Sequence, residues 1–302
     1  MEVLVRREPV INSVFWLSVR CYSSKRSASS NNWINRQLND KYTREAKFEN
    51  YKSRAAYKLQ SIDDKFKLLR PGQKVVDLGF APGAWTQVAV ERTSPNGAVL
   101  GVDIIPARPP PGASALQANI LSKQTHVMIQ KHFKEHKATE QEDDIITESY
   151  IAKEMADGIS KDVESNSQLE EELSTAEKLP VDVILSDMYA PIIPPYRHWN
   201  NTTNSAYNRM LNTSGVAIKD HAGSIDLCDA ALILAIDILK PGGAFTCKFY
   251  TGKEDKGLEK RLQRVFNRVV RFKPEACRPE SKECYFVALG KKKNVDKMAV
   301  FS

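Results

Sequence analysis

The stretch VVDLGFAPGAWTQ, residues 75–87, constrains the fold of this 302-residue chain more than any other. Its opening valines begin a short apolar run that reads as a buried parallel strand. Gly79 and Gly83 permit a tight turn that brings backbone close to a ligand. Pro82 costs no hydrogen bond just ahead of a helix that starts near Gly83 or Ala84. Strand, loop and helix in that order make the first corner of a nucleotide-type α/β fold. The Gly-x-x-x-Gly spacing lacks the third glycine of the dinucleotide fingerprint, and no Gly-Lys-Ser/Thr follows as a phosphate loop requires. A corner without phosphate-cradling chemistry suits an adenosine ligand carrying no phosphate. S-adenosylmethionine (SAM) is the leading candidate, and a plain structural turn is the alternative.

Apolar runs and helical patterns alternate on both sides of the corner. YKSRAAYKLQSIDDKFKLL (51–69) places Ala55, Leu59, Ile62, Phe66 and Leu69 on one helical face. Strands are expected at 74–78, 98–104, 115–120, 181–188 and 244–250, with helices at 84–92, 121–133 and 224–239. Ser224 reads as the N-cap of the last of these helices, and 189–223 as a loop. An amphipathic basic helix is expected over 257–270, then two closing strands in RFKPEA and CYFVALG. The alternation defines a doubly wound, mostly parallel sheet of seven strands with one antiparallel member.

The net charge of +7 is unevenly spread. Residues 135–178 hold 14 acidic against 4 basic side chains, a local charge of −10, so the rest of the chain carries +17. A basic body points to a polyanion, most simply nucleic acid. The acidic stretch 135–180 has few aromatics and reads as a disordered or loosely helical insertion. The first thirty residues carry Arg6, Arg7, Arg20, Lys25 and Arg26 among serines without a long apolar core, which suits a mitochondrial presequence. Arg20-Cys21-Tyr22-Ser23 fits a matrix-peptidase site, although Glu2 and Glu8 are unusual in such leaders. A polar link (31–49) then leads to the main domain (50–290) and a basic tail (291–302). No run reaches the roughly 18 apolar residues of a membrane span. The five cysteines show no Cys-x-x-Cys spacing, and His126, His132 and His136 have no cysteines nearby, so no metal is expected.

Ligands of such sheets bind outside the carboxyl ends of the strands. Polar residues ending the apolar strands are Asp103, Asn119, Asp187 and Lys248, and Glu283 opens the last strand. Lys248 stands between Thr246-Cys247 and Phe249-Tyr250, where burial disfavours its charge; the alternative is a strand-end lysine that snorkels to water. Lys58 lies on the polar side of the early helix.

YKSRAAYKLQSID, VVDLGFAPGAWTQ, GVDI, LSDM, CKFYTG and SKECYFVALG, in that order, resemble the FtsJ/RrmJ family of ribose 2′-O-methyltransferases across nearly all of residues 50–290. The resemblance implies a Rossmann-like SAM-dependent methyltransferase fold and a Lys-Asp-Lys-Glu tetrad falling on Lys58, Asp187, Lys248 and Glu283, with Lys248 as proton acceptor. The implied SAM pocket falls on Gly79, Pro82, Gly83, Ala84, Trp85, Asp103, Asn119, Ile120 and Asp187. Two departures stand out. Asn119 occupies a position where the family usually has aspartate, and DMYAP replaces DMAP before a longer loop. An amide oxygen can still accept from the adenine amino group, so the first departure weakens that contact at most.

The resemblance implies an RNA substrate without metal assistance. With the presequence it favours, in the mitochondrial matrix, a uridine in the peptidyl-transferase region of large-subunit ribosomal RNA (rRNA), free or in an assembly intermediate. The protein is expected to act as a monomer. The basic helix 257–270, Lys52, Arg54 and Lys65 would then track phosphates. A tRNA 2′-O-methyltransferase and a non-catalytic assembly factor are the alternatives.

Overall fold

A computed structural model of the chain describes residues 40–143, 179–190 and 212–302. The expected presequence, most of the acidic insertion and much of the 189–223 loop lie outside the described residues. Seven strands form one sheet: β1 (Lys74–Leu78), β2 (Ala98–Asp103), β3 (Ala113–Gln117), β4 (Val181–Ser186), β5 (Leu239–Tyr250), β6 (Phe266–Phe272) and β7 (Glu283–Lys291). Their order is β3-β2-β1-β4-β5-β7-β6. β7 runs antiparallel to both of its neighbours and every other pairing is parallel. The expected seven strands and single antiparallel member are therefore both present. The chain first winds outward from β1 to β3 and then returns to start again at β4. That reversal opens a crevice at the carboxyl ends of β1 and β4.

Helices cover both faces because the central strands are apolar on both sides. On one face lie α2 (Ala56–Phe66) and α3 (Ala84–Thr93), whose Leu59, Ile62, Trp85 and Val88 pack on Val75, Val183, Leu185 and Tyr285. On the other lie α4 (Lys123–Asp143), α5 (Ala217–Ile238) and α6 (Asp255–Val265), with Ile129, Phe133, Leu232 and Leu258 in a second core. α1 (Lys41–Phe48) forms inside the expected polar link and buries Ala46. The short α7 (Lys297–Phe301) forms inside the expected basic tail and buries Val300. The four described cysteines, Cys228, Cys247, Cys277 and Cys284, are buried free thiols.

Several expected boundaries are corrected. α5 starts seven residues before Ser224, with Asp220 in its first turn accepting from Ser214 N at 2.7 Å. Ser224 is interior: its hydroxyl donates to the His221 carbonyl at 2.7 Å and accepts from Tyr250 N at 3.0 Å, tying α5 to the end of β5. Gly223, the last residue of the expected loop, sits within the helix, where an added Cβ would come 3.3 Å from Ala190. The basic helix stops at Val265 rather than at residue 270, because Leu258, Leu262 and Val265 complete its buried stripe and Phe266–Phe272 then pairs with β7. β3 ends at Gln117, three residues early, because Asn119 closes a turn in which Leu121 N donates to its Oδ1 at 3.0 Å. β5 begins at Leu239, although its pairing with β4 becomes regular only from Ala244, past the glycines of KPGG.

Candidate active site

Lys248 lies near the end of β5, and across the antiparallel pair it faces Tyr285, while Tyr250 faces Glu283. Residues two apart on a strand share a face. Glu283 and Tyr285 therefore project with Lys248 toward α2, which supplies Lys58. Asp187 follows the last residue of the neighbouring β4. Four distant segments thus converge for reasons of strand parity and sheet order.

The result is a continuous chain of polar contacts. Lys248 Nζ donates to the Asp187 carbonyl at 2.6 Å and lies 3.1 Å from its Oδ1. Tyr285 Oη lies 2.8 Å from Asp187 Oδ1 and 2.6 Å from Glu283 Oε1. Glu283 Oε1 in turn pairs with Lys58 Nζ at 2.5 Å. All four residues of the expected tetrad are brought together. Lys248 is only 5% exposed, so it does not snorkel to water; its ammonium stays inside, against Asp187 and 5.4 Å from the ring centre of Tyr189.

The electrostatics follow from pairing under burial. Burial acts to raise the Glu283 carboxyl, but Lys58 and Lys248 outweigh it and hold the group well below the usual carboxylate range. Burial likewise opposes the charge of Lys58, and the carboxylates of Glu283 and Asp187 push its pKa up overall. Tyr285 is raised well above an ordinary phenol by burial and by the same two carboxylates, so it keeps its proton. One hydroxyl hydrogen serves two acids and can be donated to only one at a time. Two ammonium groups and two carboxylates leave the cluster with no net charge.

The first corner adjoins this cluster. Gly79 has φ +72° and Gly83 has φ +109°, conformations that disfavour any side chain. A Cβ at Gly79 would meet Met188 Cγ at 2.6 Å, and one at Gly83 would meet Pro110 at 3.0 Å. In these directions an added side chain would press on protein, so the glycines are needed by the turn itself as well as for any close approach of its backbone to a ligand. Pro82 precedes the helix as expected, and Ala84 is its first residue. Trp85 points inward: its Nε1 donates to the Ala55 carbonyl at 2.9 Å and its ring packs 5.5 Å from Tyr285. The Ile120 side chain joins the core, and its backbone carbonyl lies 2.9 Å from His126 Nε2.

Asp103 ends β2, and its two oxygens accept from Ile105 N and Ala81 N, each at 3.1 Å. Burial raises its carboxyl above the ordinary value, with those backbone donors opposing. Each oxygen retains acceptor capacity for a hydroxyl. A crevice edge carrying the acids Asp103 and Asp187 fits the ribose hydroxyls and cationic centre of SAM and would repel a phosphate.

Tyr285 and Asp77 escaped the sequence reading. Tyr285 stands two places after Glu283, and strand periodicity alone puts it on the same face. Asp77 is fully buried in β1; Thr86 Oγ1 donates to its Oδ2 at 2.6 Å, and Oδ1 has no partner among the described residues. Several basic residues expected to track phosphates are engaged within the fold. Arg54 donates to the Ala276 carbonyl, Arg261 forks onto Asp229 at 2.8 and 2.9 Å, and Arg264 bonds Ala299, Val300 and Ser302 carbonyls. Lys65 is exposed and lies 4.4 Å from the ring centre of Phe272, and Lys52 is exposed as well.

Comparison with known proteins matches residues 51–291 to the FtsJ-like methyltransferase family. The chain is 51% identical over 298 residues to the Saccharomyces cerevisiae protein named rRNA methyltransferase 2, mitochondrial, covering 91% of this chain and 92% of that one. It is 36% identical over 265 residues to ribosomal RNA large subunit methyltransferase E of Rhizorhabdus wittichii, covering 88% and 87%. A crystal structure from Plasmodium falciparum described as a ribosomal RNA methyltransferase shares the fold, with a TM-score of 0.51 and 24% identity over 80% of this chain and 98% of that one.

Proposed function

Because the chain belongs to the FtsJ-like methyltransferase family, we propose that it methylates a ribose 2′-hydroxyl of ribosomal RNA, with Lys248 as the group that accepts the hydroxyl proton. The observation that carries this reading is the buried chain Lys248–Asp187–Tyr285–Glu283–Lys58 beside the first corner. Asp103, Asn119, the Gly79–Trp85 corner and Asp187 would hold SAM, which supplies an electrophilic methyl group when bound.

A 2′-hydroxyl is a weak nucleophile until its proton is drawn away. Lys248 is held at the carboxyl end of β5 by two contacts with one residue, so its position is set before substrate arrives. The cluster is neutral with both lysines charged; beside a cationic donor, loss of one proton at Lys248 restores neutrality. Lys58 and Glu283 orient each other and, through Tyr285, orient Asp187. Positioning of this kind supplies much of the rate of a transfer reaction. The charges come from side chains, so transfer is expected to persist in a chelator.

The target we propose is a uridine in the peptidyl-transferase region of mitochondrial large-subunit rRNA, modified in the matrix during ribosome assembly. The arginines of the first thirty residues and the names of the yeast and bacterial relatives support that choice. The test maps 2′-O-methyl groups in mitochondrial rRNA after loss of the protein and after its return as wild type or as Lys248→Ala. One large-subunit site should disappear and be restored by the wild type alone. Retention of every rRNA methyl group, or loss confined to tRNA, would overturn the proposal.

A further inference from the structure

An ammonium carries three protons, and among the described residues only Asp187 offers oxygen to that of Lys248. The Asp187 carbonyl accepts at 2.6 Å, and its Oδ1 lies 3.1 Å from Nζ. Nζ also faces the ring of Tyr189, whose centre is 5.4 Å away. An ammonium within about 6 Å of an aromatic face is attracted by the ring quadrupole, most strongly where water is excluded. Lys248 is buried, so that condition holds.

Tyr189 is the residue by which DMYAP exceeds DMAP. Its chain neighbours are held on both sides. Met188 packs on the core and against Gly79, where an added Cβ would meet its Cγ at 2.6 Å. Ala190 lies against Gly223 of α5, 3.3 Å from a Cβ placed there. Tyr189 is half-buried and its hydroxyl bonds no described group, so the ring is the part engaged. Burial raises its phenol above the ordinary value; Lys248 opposes the rise, and Asp103 and Asp187 add to it. The phenol therefore keeps its proton, and the ring acts through its π face rather than as an anion. It stands within electrostatic reach of both Asp103 and the tetrad.

We propose that Tyr189 is a positioning residue for methyl transfer, whose ring face steadies Lys248 against Asp187 and stabilises the charge that Nζ gains on accepting the hydroxyl proton. The inference rests on the proposed role of Lys248 and deepens it. In that step the ribose O–H bond breaks and its proton joins the Nζ lone pair. The oxygen takes the methyl group, and the sulfonium sulfur keeps the bonding pair. Positive charge at Nζ grows as the reaction proceeds, and a π face already in place meets it without reorganisation. The hydroxyl of Tyr189 has no part in this; the electron density of the ring does.

The test is single-turnover methyl transfer to large-subunit rRNA from mitochondria lacking the protein. The variants are Tyr189→Phe, Tyr189→Leu and full-length protein with mono-, di- or trifluorophenylalanine at position 189. Fluorine withdraws electron density from the π face while nearly conserving the shape of the ring. Tyr189→Phe should keep the wild-type rate, each added fluorine should lower it, and Tyr189→Leu should lose about tenfold. The KM for rRNA and the calorimetric affinity for S-adenosylhomocysteine should stay unchanged throughout. Equal rates across the fluorinated series would overturn the proposal, and that series decides should Tyr189→Leu fail to fold. A loss in Tyr189→Phe as large as in Tyr189→Leu would assign the effect to the hydroxyl and overturn it too. So would a loss confined to the KM for rRNA, which would make the ring an RNA contact. Lys248→Ala at the wild-type rate would instead remove Lys248 from the chemistry, and this inference with it.

Discussion

Lys58 and Glu283 stand 225 positions apart in the chain, yet their charged groups lie 2.5 Å apart inside the domain. Both side chains are largely shielded, so removing either partner strands a charge. Glu283→Gln or Lys58→Met alone should lower unfolding stability by about 3–5 kcal/mol, and the double substitution should cost much less than their sum. Urea denaturation of the two single variants and the double variant measures that coupling; additive losses would contradict it. Because the Glu283 carboxyl is held below its ordinary 4.5, the pair's contribution is present above that pH and is lost as pH falls below it.

Lys248 is the group on which the proposed proton transfer turns. Lys248→Ala should lose about 10²-fold or more in methyl transfer while ligand affinity stays near normal. Lys248→Arg should do no better, since guanidinium keeps its proton throughout the working range. Single-turnover rates with labelled methyl donor read this directly. Near wild-type turnover in Lys248→Arg would make the residue a fixed charge rather than a proton acceptor.

Asp77 predicts a pH dependence of stability with the opposite sign to that of Glu283. Burial, aided by Asp187 and Asp103 against the Thr86 hydroxyl, lifts its carboxyl from 3.8 to about 8. Between those values the unfolded chain has released a proton that the folded chain retains, so this residue's contribution falls as pH rises from about 4 to about 8 and then levels. Asp77→Asn should flatten that decline and raise the melting temperature at pH 8 more than at pH 5. Melting curves that stay parallel to the wild type across this range would refute the assignment.

Gly83 is expected to be needed for the backbone as well as for the ligand. At φ +109° any side chain is strained, and a Cβ would press on Pro110. Gly83→Val should destabilise the fold by about 1–3 kcal/mol or more and abolish binding of S-adenosylhomocysteine. Thermal unfolding separates the two effects. Wild-type stability together with wild-type affinity would remove this corner from the site.

The main alternation of strands and helices and the seven-stranded doubly wound sheet were determined by local sequence, while Lys58, Asp187, Lys248 and Glu283 were picked out by the order of motifs that resembles the family. Apolar runs, turn residues and motif order are written within a few neighbours of each residue, and so are legible. The start of α5, the end of α6 and the helices at 41–48 and 297–301 were not, because packing against distant segments outweighs weak local signals there. Tertiary structure alone decided that Lys248 is buried against Asp187, that Tyr285 bridges the two acids, and that Trp85 faces the protein interior. Each of these depends on which partner meets a polar atom across the fold, and hydrogen-bond direction exists only once both groups have been placed.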